Sequence, residues 1–146
     1  MPATDGEDSN RVKLQLQSTL DSVDTAEQLV LEAARQMGFD EDDQHRIGVA
    51  VRESMINAVA HGNRYNVHKS VHLAVDSFRD RLEVRIGDEG NGFDPAAVPD
   101  PVAAENLLRQ SGRGLLMIQA FMDEFLVRRR EPRGTEITLV KRLSAH

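Results

Sequence analysis

The chain has 146 residues, 40% of them hydrophobic, with no cysteine and a formal net charge of −6, which suits one compact domain around a single core. Lack of cysteine excludes disulfide frameworks and thiolate metal sites and fits a reducing cytoplasm, while the acidic balance argues against a nucleic-acid partner, which needs a basic face. The opening "MPATDGEDSN" has neither the basic nor the apolar region of a signal peptide, and the apolar runs are too short to span a bilayer.

Residues 1–10 read as a disordered tail by composition, and residues 11–146 as one domain. "RVKLQLQ" alternates Val12, Leu14 and Leu16 with polar residues, the pattern of a half-buried strand. A helix follows, with Asp24 and Glu27 as a capping pair. Ala26, Val30, Ala33 and Met37 lie along its core stripe, and Gly38 is its stop. A second helix is expected from about Asp42 to His61, with acids at its start and Gly62 as its C-cap. Its core stripe is Ile47, Val51, Ser54 and Ala58, beside Ala50 and Met55, and Glu53 and Asn57 stand one turn apart at the flank.

"SVHLAVD" and "RLEVRIGD" alternate cleanly around the short connection "SFRD", so they form an antiparallel hairpin. Asp88 continues the phase of Leu82, Val84 and Ile86, which turns its carboxylate inward. Residues 90–112 read as a long loop or lid, interrupted by a short helical piece at "VAAENLLR". A third helix is expected in "GLLMIQAFMDEF", with Leu115, Ile118, Met122 and Phe125 inward. Two strands, "FLVRRR" and "TEITLVKR", come last, joined through "EPRG". The order β-α-α-β-β-loop-α-β-β predicts an α+β fold. It would be a two-layer α/β sandwich whose mixed, mostly antiparallel sheet carries helices on one face. The other face is then open to a second copy or a docking partner.

Four short motifs carry chemistry. They are "ESMIN" with Glu53 and Asn57, "DEGNG" with Asp88, Gly90 and Gly92, "GRGLLMI" with Gly112, Arg113 and Gly114, and "RGT" with Gly134 and Thr135. Each has a plain structural reading alone: solvated helix neighbours, a tight turn, a helix start, a hairpin turn. An EF-hand would need oxygen side chains where Gly90 and Gly92 stand. A dinucleotide fingerprint would need a third glycine and an immediate helix, but Pro95 intervenes. No P-loop is present. His45, His61, His68, His72 and His146 show no metal-ligand spacing, and His61 reads as a helix-end residue. Arg128 to Arg130 read as a solvated strand edge, and Met117 and Met122 as core.

Together, and in this order, the motifs resemble the ATP-binding domain shared by gyrase, the Hsp90 chaperone, histidine kinases and the MutL proteins. "ESMINAVAHGN", "DEGNGFDP" and "GRGLLMI" look most like the small anti-sigma factor serine kinases of that family. The resemblance runs from about Ile47 to Val140. It implies the histidine-kinase-like ATPase fold, with ATP and Mg²⁺ as cofactors. It further implies that Asn57 ligates Mg²⁺ through its amide oxygen, that Glu53 is the catalytic base, and that Asp88 accepts from the exocyclic amine of adenine. Gly90 and Gly92 would let the chain pass beside the base, and Gly112, Arg113 and Gly114 would cradle phosphates at a helix start. Thr135 would add a hydroxyl at the adenine edge. The function implied is a cytoplasmic protein serine kinase that sequesters a sigma factor and phosphorylates an anti-sigma factor antagonist. The alternative is an ATP-binding switch that never transfers phosphate, but such a switch has no need of the base at Glu53.

Overall fold

The computed structural model describes residues 10–90 and 113–143. Its elements in chain order are β1 (Asn10–Gln17), α1 (Leu20–Met37), α2 (Glu41–Ile56), a π-helical turn (Asn57–Gly62), β2 (Ser70–Ser77), β3 (Arg81–Gly87), α3 (Arg113–Phe121), β4 (Glu124–Arg129) and β5 (Thr135–Arg142). Residues 1–9 of the tail expected over 1–10, most of the 90–112 loop with its helical piece, Gly92, Gly112 and residues 144–146 lie outside the described residues, while Asn10 is not tail but the first residue of β1.

The strands form one five-stranded sheet in the order β1-β2-β3-β5-β4. Every pairing is antiparallel, so among the described residues the sheet is not mixed. The three helices pack on one face, giving the expected two-layer α+β sandwich. Register brings Leu73 opposite Ile86 and Val75 opposite Val84, and Val84 opposite Leu139. These side chains meet Val23, Ala26 and Val30 of α1, Ile47, Val51 and Met55 of α2, and Leu115 and Ile118 of α3 in one core. Burying each side chain of this size is worth about 1.5–3 kcal/mol. A one-residue slip of β3 would turn Leu82, Val84 and Ile86 outward together, so register is strongly held.

Several local expectations are corrected. β1 is an edge strand rather than a half-buried one: Val12 is 41% and Leu14 37% exposed, and only Leu16 packs against the core. α1 lies over β2, and α2 over β3 and β5, so the helical layer stops short of β1. α1 starts one turn earlier than expected, after Thr19. Asp24 and Glu27 are therefore mid-helix, and both accept from Arg52 Nη1 of α2 at 2.7 Å. Gly38 does close α1 in the left-handed region, at φ 95°, which glycine enters without a Cβ penalty.

α2 is capped by Asp40, whose carboxylate accepts from Asp43 N–H at 2.8 Å. Beyond Ile56 the helix widens into the π-helical turn, and Gly62 ends that turn rather than capping an α-helix. α3 is shorter than expected and Phe125 belongs to β4. Met122 is buried and Met117 half-buried. Arg128 is exposed on the edge strand β4, as expected, whereas Arg130 lies half-buried beside Gly87.

Candidate functional site

The described site residues lie in two clusters, built from the end of α2 with its π-helical turn, the end of β3, the start of α3 and the β4–β5 turn. β3 runs out at Gly87, and the next residue, Asp88, keeps the strand's inward phase and is 6% exposed. Asp88 N–H donates to Thr135 O at 2.9 Å, extending the β3–β5 ladder by one rung. Asp88 Oδ1 accepts from Gly90 N–H at 3.0 Å and Thr135 N–H at 3.1 Å. Oδ2 lies against Gly62 and accepts no hydrogen bond from another described residue.

The packing around Asp88 requires glycine on three sides. A Cβ at Gly62 would stand 2.2 Å from Asp88 Oδ2, and one at Gly134 2.0 Å from Asp88 O. A Cβ at Gly90 would stand 1.9 Å from Gly62 O. Gly134 also has φ +102°, a conformation that side-chain-bearing residues rarely adopt. Burial pushes the Asp88 carboxyl above its ordinary range. The Gly90 and Thr135 N–H groups, and more weakly Arg130 and Lys69, pull the other way. A buried carboxylate with a raised pKa is the kind of group that binding sites use.

The second cluster lies along α2. Glu53 is half-buried, and a Cβ at Gly114 would stand 2.3 Å from its Oε1. The Glu53 carboxylate therefore packs over the first turn of α3, where the helix dipole favours negative charge. Asn57, one turn after Glu53, is 4% exposed, and its buried Nδ2 has no hydrogen-bond partner among the described residues. Leaving a buried amide unpaired costs about 1–3 kcal/mol, which a ligand group could recover. The π-helical turn that begins at Asn57 ends at Gly62 against Asp88, so it joins the two clusters.

The structure thus brings together Asp88, Gly90, Gly134 and Thr135, and separately Glu53, Asn57 and Gly114. The side chain of Arg113 lies outside the described residues, as do Gly92 and Gly112. Thr135 meets Asp88 through its main chain. Gly62 is a member of the site that sequence reasoning assigned only to a cap; a glycine straight after "NAVAH" was the available signal. Among the described residues no group of three or more histidine, cysteine or acidic side chains is arranged to hold a metal.

The profile described as the histidine kinase-like ATPase domain matches residues 16–141. The chain belongs to this family. It is 31% identical over 117 residues to the serine-protein kinase RsbW of Bacillus subtilis (strain 168), covering 76% of this chain and 72% of that protein. It is 30% identical over 105 residues to the anti-sigma F factor of Oceanobacillus iheyensis, covering 70% and 72% of the two chains. Its fold is similar to the crystal structure of the RsbU and RsbW domains of a Mycobacterium tuberculosis protein. That match has TM-score 0.65 and 23% identity, over 92% of this chain and 32% of that longer one. The family's ATPase domain makes ATP the nucleotide to consider for this chain, and the shared fold accounts for the helices lying on one sheet face.

Proposed function

We propose that residues 11–146 form an ATP- and Mg²⁺-dependent protein serine kinase of the cytoplasm, which sequesters a sigma factor and phosphorylates an anti-sigma factor antagonist. The observation that carries the kinase reading is Glu53. Its carboxylate lies against Gly114 at the first turn of α3, with Asn57 one turn away on the same helical run. The names of the similar proteins, serine-protein kinase and anti-sigma F factor, support the two halves of the reading.

In this reading Asp88 Oδ2 accepts from the exocyclic amine of adenine, with Gly90, Gly92 and Thr135 lining the base. Gly112, Arg113 and Gly114 hold phosphates at the N-terminus of α3. The Asn57 amide oxygen is a hard, neutral donor of the kind that suits Mg²⁺ and would hold the ion beside waters and phosphate oxygens. When bound, Mg²⁺ supplies positive charge to the phosphates during transfer. Glu53 takes the proton from the attacking serine hydroxyl. The γ-phosphoryl group then passes to the serine oxygen, leaving ADP and phosphoserine.

The sigma factor and the antagonist would compete for this one protein, so ATP-dependent phosphorylation of the antagonist restores sequestration. The uncovered sheet face is available to a second copy or a partner. A switch module without transfer is the rival reading, and one assay separates them. Purified protein, γ-labelled ATP, Mg²⁺ and a candidate antagonist are mixed, and label is sought on an antagonist serine. Label that depends on Mg²⁺ supports the kinase. ATP binding with no label on any antagonist leaves the switch.

A further inference from the structure

Asn63 is a buried polar residue to which the proposed reaction gives no part. It follows the π-helical turn directly, and its N–H donates to Ala58 O at 2.8 Å. Its side chain is 1% exposed. Nδ2 donates to Ser18 Oγ and to Ser70 O, both at 2.9 Å, and Oδ1 accepts from Glu89 N–H at 2.7 Å. Ser18 Oγ donates onward to Lys69 O at 2.5 Å. One amide thus ties together the β1–α1 turn, the start of β2, the end of the π-helical turn and the loop that follows Asp88.

The bond to Glu89 N–H matters most, because that N–H belongs to the peptide plane joining Asp88 to Glu89. Holding it restrains the rotation of that peptide plane and, with it, the Asp88 main chain. The Glu89 side chain holds the same stretch again, accepting from Ser70 N–H at 3.1 Å and meeting His72 Nε2 at 2.5 Å. Gly62, the neighbour of Asn63, abuts the Asp88 carboxylate and Gly90. The end of the α2 segment is therefore keyed to the loop twice, by contact at Gly62 and by hydrogen bond at Asn63. Only asparagine offers two donors and an acceptor on a side chain of this length; aspartate keeps the acceptor alone.

We infer that Asn63 is a positioning residue: through the Asp88–Glu89 peptide it sets where the Asp88 carboxylate stands, and so how well the site separates adenine from guanine. This rests on the ATP reading above, and it extends the set of residues that decide base specificity to one that touches no nucleotide. A purely structural Asn63 would weaken the fold and lower affinity for both nucleotides alike.

The test is a mutant cycle read by calorimetric Kd for ATP and GTP, with melting temperature measured alongside. Asn63→Ala should lower the ATP:GTP preference about tenfold, the size of one net buried hydrogen bond. In the Asp88→Asn background the same substitution should change that preference less than about twofold, because the group it acts through is gone. Ser18→Ala leaves the Glu89 bond intact, so it should lower the melting temperature and leave the preference within about twofold of wild type. Asn63→Asp keeps an oxygen facing Glu89 N–H and should restore most of the preference that alanine loses. A readout independent of variant folding is hydrogen exchange in the wild type, where ATP should slow exchange of the Glu89 amide. If Asn63→Ala weakens ATP and GTP equally, if its effect persists undiminished without the Asp88 charge, or if ATP leaves Glu89 exchange unchanged, the inference is overturned. If the wild type binds neither nucleotide, the ATP reading itself fails, and the two failures are thereby told apart.

Discussion

Replacing Asp88 by asparagine should move stability and binding in opposite directions. The new side chain is nearly the same size, and its amide oxygen can keep both N–H donors, from Gly90 at 3.0 Å and Thr135 at 3.1 Å. What changes is the charge and the second oxygen. Burial is the largest influence on the Asp88 carboxyl and it acts against the ionised form, so folding holds this charge at a cost that asparagine does not carry. The variant should therefore melt above the wild type near neutral pH. Binding should suffer, because the oxygen facing Gly62 becomes an amide nitrogen and can no longer accept from an adenine amine. A hydrogen bond to a charged group is worth about 1.5–3 kcal/mol, or about 10- to 150-fold in Kd for ATP. Calorimetry with ATP and GTP, beside thermal unfolding of the apo protein, measures both effects. A variant that melts lower while binding ATP as the wild type does would show that Asp88 is a structural carboxylate, and the assignment would fall.

The same carboxyl sets a pH dependence. Its pKa in the folded protein is raised, so its contribution to stability is greatest in acid and is lost as pH rises through the folded pKa. The melting advantage of Asp88→Asn should accordingly shrink as pH falls through a value above the ordinary aspartate range. Wild-type ATP affinity should fall over the same interval; an advantage that does not change with pH would contradict this. Asn57→Ala removes the amide oxygen proposed to hold Mg²⁺, so it should weaken Mg-ATP binding in calorimetry while the melting profile stays near normal. Unchanged affinity would remove Asn57 from the site. Gly114→Ala puts a methyl group where Glu53 Oε1 now lies, so it should slow phosphate transfer more than it weakens ATP binding, and a variant with wild-type turnover would show that this contact does not position Glu53.

Much of the fold was legible because the sequence pattern repeats with the period of the element. The alternation in β2 and β3 marked their buried faces, and the same phase turned Asp88 inward. Helical spacing likewise put Glu53 and Asn57 on one flank of α2. What escaped depends on partners distant in sequence. The burial of β1 is decided by how far the helical layer reaches, which no local pattern records. Asp24 and Glu27 have a spacing that serves a cap or an ion pair equally, and Arg52, 28 and 25 residues away, decides for the pair. The π-helical turn has no signature in its side chains; it shows in backbone bonds such as Asn63 N–H to Ala58 O and in the packing of Gly62 on Asp88. Asp88 itself is held by one near neighbour, Gly90, and by Thr135, 47 residues on. A motif can indicate that such residues belong together, but not which atoms meet.

The central claim, that this chain transfers phosphate and does not merely bind ATP, is tested most directly at Glu53. Nucleotide affinity is assigned to Asp88, Asn57 and the glycines, whereas Glu53 is assigned to the serine proton. A positioned base contributes about 10²–10⁴-fold to rate. Transfer of label from γ-labelled ATP to the antagonist's serine is therefore compared for the wild type and Glu53→Ala, with ATP Kd and sigma-factor capture measured on the same preparations. Glu53→Ala should bind ATP and the sigma factor nearly as the wild type does, yet lose transfer by about two orders of magnitude or more. A wild type that binds ATP yet labels no antagonist would contradict the claim, and transfer by Glu53→Ala at the wild-type rate would remove Glu53 as the base.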